Sequence, residues 1–356
     1  MPEVIDETVV VQTAERLRDY LNETGRTQKA AASALGVSSA QISTYLQGRH
    51  TGDTQGLTRK IIQWLDTQAR RARALSAVAK RIGTMVRTVE SYSDENEAKI
   101  GILVGDAGHG KSLCLRQYAA ANPNTVYVML DETMSSLGVF SELSKALRID
   151  SHGILKTLAA RLTESLAGRS LTVIIDEASH LSVRVLNQLR QVITVRCRCP
   201  LILAGNQHLK TTMEQDASRC GYEAMDQFRS RIVQVLDLDA LAGLGEDGGL
   251  YTAEDIRRLY EYGGIRLLGD AVGRLQEIAR TPKTGRLRTC SLLIQVIHTA
   301  PMIQDAGKID GANIVHAIML LGLPIIERLP FAGQVAAARR QAKAQEAEIQ
   351  AVMKAG

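Results

Sequence analysis

The stretch Gly105-Asp106-Ala107-Gly108-His109-Gly110-Lys111-Ser112 constrains the fold more than any other part of the chain. It matches G-x-x-x-x-G-K-[ST], and its flanks supply the context that this pattern needs. Ile100-Gly101-Ile102-Leu103-Val104 reads as a short buried strand, and Leu113 to Ala121 reads as a helix. A strand, a glycine-rich turn and a helix aim several backbone N–H groups at one point, where the helix N-terminus also favours negative charge. The predicted ligand is the phosphate tail of ATP, cradled by Gly105 to Ser112 with Leu113 behind them. Lys111 would reach the β- and γ-phosphates and Ser112 would ligate Mg²⁺. The competing reading is a chance glycine-rich turn.

A second motif turns the cradle into a hydrolytic site. The strand Leu171-Thr172-Val173-Ile174-Ile175 runs into Asp176-Glu177, about 65 residues beyond Lys111. Asp176 would orient the metal through water, and Glu177 would polarise the attacking water as general base. A further strand, Pro200 to Gly205, ends at Asn206, a polar residue placed to hold that water. Phe228-Arg229-Ser230-Arg231-Ile232 precedes a fifth strand, Val233 to Leu236. An arginine there can reach a neighbouring subunit's γ-phosphate, and Arg231 is preferred to Arg229; the alternative is a surface arginine. With Thr125–Leu130 as a second strand and helices over 135–147 and 153–167, residues 93–240 form an α/β unit. Its sheet is expected to be mostly parallel, with the nucleotide at the C-terminal edge.

The N-terminal 70 residues are read as an all-α helix-turn-helix domain after a frayed arm, 1–12. Helices are expected over Thr13–Glu23, Thr27–Leu35 and Ser38–Gln47, with a fourth from Thr54 to about Arg73. Gly36-Val37-Ser38 makes the tight turn, and Ala31, Ala32, Leu35, Ile42 and Leu46 supply a small core. Ser38–Gln47 would be the recognition helix, with Ser39, Gln41, Thr44 and Arg49 as candidate DNA contacts. A module for protein contact is the alternative. Residues 71–92 read as a basic linker carrying Lys80, Arg81 and Arg87. Its apolar residues keep a helical period, so it is either the solvated face of a helix or a phosphate contact. Residues 241–330 read as an all-α lid with helices Thr252–Tyr262, Arg266–Ile278, Arg288–Thr299 and Gly311–Leu321. Arg266 could fold over the phosphates. The tail 331–356 is rich in Ala, Gln, Lys and Glu, and its role is unreadable.

Composition narrows the partners. Aromatic residues make up 4% of the 356, which disfavours stacking on bases as a binding mode. A net charge of +5 is mild, so local clusters say more than the total. Five cysteines in a core-forming chain suggest reduced thiols rather than a disulfide framework, and Cys197-Arg198-Cys199 lacks a second pair at zinc spacing. No signal peptide and no membrane-spanning run are read, so the expected location is cytoplasmic.

Walker A at Gly105–Ser112, Walker B at Asp176-Glu177, Asn206, Arg231 and the helical lid with Arg266 together resemble an AAA+ ATPase. With the helix-turn-helix in front, the order resembles the target-DNA activators of transposable phages, the phage Mu transposition protein B family, with relatives in Tn7-like systems. Three stretches carry the likeness: the N-terminal module ending in Gly52-Asp53 then Trp64-Leu65, the phosphate loop, and Ile174 to Leu181. The resemblance implies a bacteriophage protein acting in the bacterial host. It implies ATP-dependent, largely nonspecific binding of double-stranded DNA by a helical filament or ring of the protein itself. It further implies recruitment and activation of a transposase in DNA transposition, choice of target, and hydrolysis that clears the protein from unsuitable DNA. No motif fixes the DNA contacts of the core, where Lys145, Arg148, Lys156 and Arg161 are candidates by charge. Two alternatives share these motifs: a helicase loader or replication initiator, and a transcriptional regulator whose helix-turn-helix reads one operator under ATP control. A secretion-type ATPase is disfavoured by the helix-turn-helix.

Overall fold

The computed structural model describes residues 6–340 apart from short stretches, the longest being 93–98, 215–223 and 300–306. Cys220, the stretch 93–97 that reads in the sequence as a polar turn, Gly263-Gly264 and the tail from 341 lie outside the described residues. The chain divides into two units, one holding 1–76, 251–278 and 290–356 and the other 77–250 and 279–289.

The first unit opens with α1 (Glu7–Thr24), α2 (Gln28–Leu35), α3 (Ser39–Leu46) and α4 (Thr54–Ala74). The arm expected over 1–12 is helical from Glu7 onward. Val10, Ala14, Leu17 and Leu21 recur at helical spacing, and all four pack into the small core, so the apolar stripe extends the helix. Thr27 caps α2 through the N–H of Ala30, and Gly36 ends it in the left-handed region at φ 66°. Ser38 and Gln41 form a capping box at the start of α3. Ile42, Leu46, Ala31 and Ala32 fill the core as expected, together with Leu57, Ile61 and Leu65. Tyr45 joins them unexpectedly: its ring is buried, and its hydroxyl is satisfied by Thr58 Oγ1 at 2.8 Å.

The second unit begins with α5 (Ala77–Ser91) and β1 (Ile100–Val104). Residues 77–91, read from sequence within a linker, pack instead on β1, β5 (Ile232–Asp237) and the helix that follows the phosphate loop. Val78, Ile82, Met85, Val86 and Val89 are buried, whereas Lys80, Arg81 and Arg87 stay exposed. Gly101 makes this close approach possible, since a Cβ there would stand 2.9 Å from Val89 Cγ2 and 2.8 Å from Ile202 Cδ1. Along the chain follow α6 (Lys111–Ala121), β2 (Thr125–Met129), α7 (Ser136–Ala146), α8 (Leu155–Leu166) and β3 (Thr172–Asp176). Then come α9 (Val183–Leu189), β4 (Leu201–Gly205), α10 (Gln207–Glu214), α11 (Ala224–Arg229), β5 and α12 (Leu238–Gly243).

The sheet runs β2-β3-β4-β1-β5 and every pair is parallel. β1, β3 and β4 are buried along their whole length, as strands covered on both faces must be. Ile102, Val173, Ile175, Leu201 and Leu203 share one core with Phe140, Leu143, Leu158 and Leu162 of α7 and α8. Fully burying each such side chain contributes roughly 1.5–3 kcal/mol. Because β4 lies between β1 and β3, the two nucleotide motifs come to strand ends one strand apart, with the end of β4 between them.

The remaining elements are α13 (Ala253–Tyr260), β6 (Arg266–Leu267), α14 (Ala271–Arg280), α15 (Arg286–Thr299), β7 (Lys308–Ile309) and α16 (Gly311–Leu321). α13 packs against α4. Helices dominate here, but the one expected over Arg266–Ile278 starts at Ala271. The N–H of Arg266 pairs with the Gly307 carbonyl and that of Leu268 with Ile309, which draws this segment into a parallel two-residue ladder. Gly269, at φ 54°, then separates ladder from helix. Among the described residues no helix is long and apolar enough to cross a membrane.

Candidate nucleotide-binding site

The phosphate loop leaves the sheet at Val104 and enters α6 at Lys111. Gly108 and Gly110 have φ of 98° and 87°, backbone states that side-chain-bearing residues rarely adopt. The N-terminal N–H groups of α6 have no carbonyl partner within the helix and open toward the loop. Lys111 Nζ donates to the carbonyl of Asp106 at 3.0 Å and to that of Gly105, which curls the ammonium into the loop. Burial pushes the Lys111 pKa down, while the carboxylates of Glu177, Asp176, Asp239 and Asp106 pull it back up. Ala107 and Leu113 are exposed, and Asp106, Gly108, Gly110, Lys111 and Ser112 are half-buried.

Asp176 is the last residue of β3 and is fully buried. One carboxylate oxygen accepts the Tyr127 hydroxyl at 2.8 Å and the other the Glu177 N–H at 2.9 Å. Burial, then the nearby Asp176 charge, raises the Tyr127 pKa well above its ordinary value, so the phenol stays a donor. Glu177 is exposed and held left-handed, at φ 57° and ψ 36°. Asn206 follows β4; its N–H donates to Ser179 Oγ at 2.6 Å and its Oδ1 accepts the His208 N–H at 2.8 Å. Ser112 and Asp176 offer hard oxygen donors, which suit Mg²⁺ when substrate phosphates and water complete the shell. Among the described residues no group of three or more His, Cys, Asp or Glu forms a protein-only cage.

The loop, Asp176, Glu177 and Asn206 therefore meet at the C-terminal edge of the sheet. Arg231 does not join them. Its carbonyl accepts the N–H of Ile100, the first residue of β1, so it lies at the N-terminal edge. Five strand residues, about 16 Å at about 3.3 Å each, separate that edge from the loop. Arg231 Nη1 donates to the Gln227 carbonyl, and Arg229 is engaged by Met213 and Asp226. Arg266 is exposed on β6 and belongs to the other unit.

The structure adds residues that motif reading missed. Asp239, in the first turn of α12, accepts the Asp106 N–H at 2.9 Å and Nε2 of the buried His109 at 2.8 Å. Gln207 bridges Asp239 and Asp237, and Lys210 pairs with Asp237 at 3.1 Å. Burial would raise the Asp239 pKa, but hydrogen bonds from His109 and Gln207 and the charge of Arg286 leave it well below the usual carboxylate range. Burial lowers the His109 pKa despite its bond to Asp239. The one trace in the sequence is Leu236-Asp237-Leu238-Asp239, an acidic alternation after the strand.

The candidate DNA contacts are partly committed elsewhere. Ser39 and Arg49 are exposed. The Gln41 side-chain oxygen accepts the Ser38 N–H in the capping box, and the Thr44 hydroxyl donates to the Ala40 carbonyl at 2.9 Å. Lys145, Arg148 and Lys156 are exposed on the α7–α8 hairpin, where Lys145 pairs with Glu142. Arg161 is tied to Asp150 at 2.8 Å and to the His152 carbonyl.

Comparison with known proteins agrees with this geometry. Residues 94–213 match the family of AAA domains, and residues 12–75 match a helix-turn-helix domain. The Mu-like prophage FluMu DNA transposition protein B of Haemophilus influenzae is 26% identical over 206 residues, 56% of this chain and 71% of that protein. The ATP-dependent target DNA activators B of Escherichia phages Mu and D108 are each 27% identical over 206 residues, 55% of this chain and 64% of theirs. The match thus spans less than two thirds of the two phage proteins. Similarity to solved structures is weaker: the ORC2 protein of Aeropyrum pernix is 13% identical, with a TM-score of 0.42 over 68% of this chain and 66% of that one.

Proposed function

We propose, from the premise that this chain is an AAA-domain homologue of the B-type target-DNA activators of Mu-like phages, that it is an ATPase which assembles on duplex DNA and presents that DNA to a transposase. The observation that carries this reading is the convergence of Gly105–Ser112, Asp176-Glu177 and Asn206 at one sheet edge. The loop N–H groups and Lys111 hold the β- and γ-phosphates. Ser112 and Asp176 are the residues to hold Mg²⁺, which when bound neutralises charge developing on the phosphates. Tyr127 fixes the Asp176 carboxylate from the next strand. Glu177 polarises the attacking water and Asn206 helps to position it. Arg231, remote from its own loop, completes the site of an adjacent subunit. ATP then joins neighbours, and the assembly multiplies weak phosphate contacts into tight, salt-sensitive binding.

The recognition helix supports coating rather than reading of one operator. Gln41 and Thr44, its best base-reading side chains, bond their own helix. Those local bonds compete with bidentate base contact by either side chain. Binding without sequence preference lets the protein cover target DNA and direct transposition by where it stays bound. The test is binding to long random-sequence duplex with and without ATP. The parent should protect DNA in proportion to its length only with ATP, and Lys111→Ala should lose this dependence. ATP-dependent coating by Lys111→Ala equal to the parent's would sink the proposal, and a discrete footprint on one sequence would favour a regulator.

A further inference from the structure

Behind the phosphate loop lies a charged cluster that this chemistry does not use. Asp239 accepts four bonds: from the Asp106 N–H, from Nε2 of His109, from Nε2 of Gln207 and from Nη2 of Arg286. Arg286 is the first residue of α15 and is 1% exposed. Its Nη1 donates to the carbonyls of Ala279 at 2.9 Å and Arg280 at 3.0 Å, and its Nη2 stands 3.7 Å from an Asp106 carboxylate oxygen.

The turn that delivers Arg286 presses on the same loop. The Lys283 N–H donates to the Asp106 carboxylate at 3.3 Å, and a Cβ added to Gly108 would stand 1.9 Å from the Gly285 carbonyl oxygen. Lys283 and Arg286 both hold positive φ, 59° and 50°, although each carries a Cβ. Two strained residues in one short turn persist where the surroundings over-determine them. The Arg286 Nε–H, buried and without a hydrogen-bond partner among the described residues, is a second departure from ordinary satisfaction.

We infer that Asp239 and Arg286 are positioning residues for nucleotide binding, acting through Asp106, Gly108 and His109 to hold the phosphate loop open in its binding shape. Arg286 is too enclosed by Asp239 and two carbonyls to serve as a ligand to phosphate itself. Its charge keeps Asp239 ionised and aimed, and Asp239 pins the loop at Asp106 and His109. The loop amides then meet the phosphates without first paying an ordering cost. This inference rests on the ATP-site reading proposed above.

The test is a titration of the full-length protein with a fluorescent ATP analogue and Mg²⁺, alongside ATP turnover and melting without nucleotide. Removing one partner of a buried ion pair can prevent folding. The deciding variants are therefore Arg286→Lys, which keeps the charge but not the fork, and the double variant Asp239→Asn with Arg286→Gln, which removes both charges. Both should bind nucleotide at least tenfold more weakly. Their turnover at saturating ATP should stay within about threefold of the parent, because the Glu177 side of the site is untouched. A double variant that melts as the parent does and binds with the parent's affinity overturns the inference. Equal losses in turnover and affinity would also overturn it, assigning the pair to the chemical step. Failure of the ATP-site reading would look different: the parent itself, like Lys111→Ala, would bind no nucleotide.

Discussion

Glu177 stands in the left-handed region at φ 57° and ψ 36°, where a residue with a Cβ pays roughly 1–2 kcal/mol. Its N–H bond to Asp176 and the burial of Ala178 and Ser179 hold it there. Glycine would meet no steric penalty but would give back roughly 0.4–1 kcal/mol through a more flexible unfolded chain. Glu177→Gly is therefore expected to stabilise the protein by on the order of 0.5 kcal/mol while removing the proposed general base. Urea denaturation and ATP turnover check the two halves together. A destabilised variant would mean that the carboxylate serves the fold rather than the reaction. The sequence singles out Lys111, Ser112, Asp176 and Glu177 as candidates because the spacing within each motif is local and the chemistry fixes residue type, and the structure brings both motifs to one sheet edge. Asp239 and Arg286 were not. Asp239 meets Asp106 from 133 residues away and Arg286 meets Asp239 from 47, and no local pattern encodes either contact.

At the scale of elements, apolar periodicity located β1 to β5 and most of the longer helices, but not α9 to α12, the β6–β7 ladder or what each element packs against. The stripe Val78, Ile82, Met85, Val86 and Val89 read as helical, yet only Gly101 on β1, which lets the helix lie close, reveals that α5 covers the sheet. Arg266–Ile278 reads as one helix, but its first residues pair with Gly307 and Ile309, some forty residues on, which outweighs local preference. The contact of α13 with α4 has a practical consequence. Deleting residues 1–70 to test the helix-turn-helix would also uncover α13, so lost DNA binding would be ambiguous. A surface substitution avoids this. Arg49 is exposed shortly after α3, the proposed recognition helix, and is the candidate for phosphate contact. Arg49→Ala is expected to weaken binding evenly across sequences and to flatten the slope of log affinity against log salt by about one. An unchanged slope would assign the module to protein contact instead.

For the whole molecule, the consequential fact is that one sheet carries the phosphate loop at one edge and Arg231 at the other. A head-to-tail assembly of the kind proposed above would bring the two together between copies, as heterologous contacts do. Under the function proposed above, the chain would have no complete hydrolytic site until it oligomerises, and turnover would be tied to assembly on DNA. Complementation tests this. Lys111→Ala should bind no ATP, and Arg231→Ala should bind ATP but hydrolyse it poorly, so each alone should be nearly inactive on saturating DNA. In an equal mixture, an Arg231→Ala subunit retains its own Lys111 and can receive Arg231 from a Lys111→Ala neighbour. Random mixing makes about one head-to-tail interface in four complete, so turnover should recover to roughly a quarter of the parent's. If Arg231 acted within its own subunit or were merely a surface group, the mixture would hydrolyse no more than the sum of its parts. Recovery that rises with total protein concentration and with DNA length would place the completed site at the boundary between neighbours on the duplex.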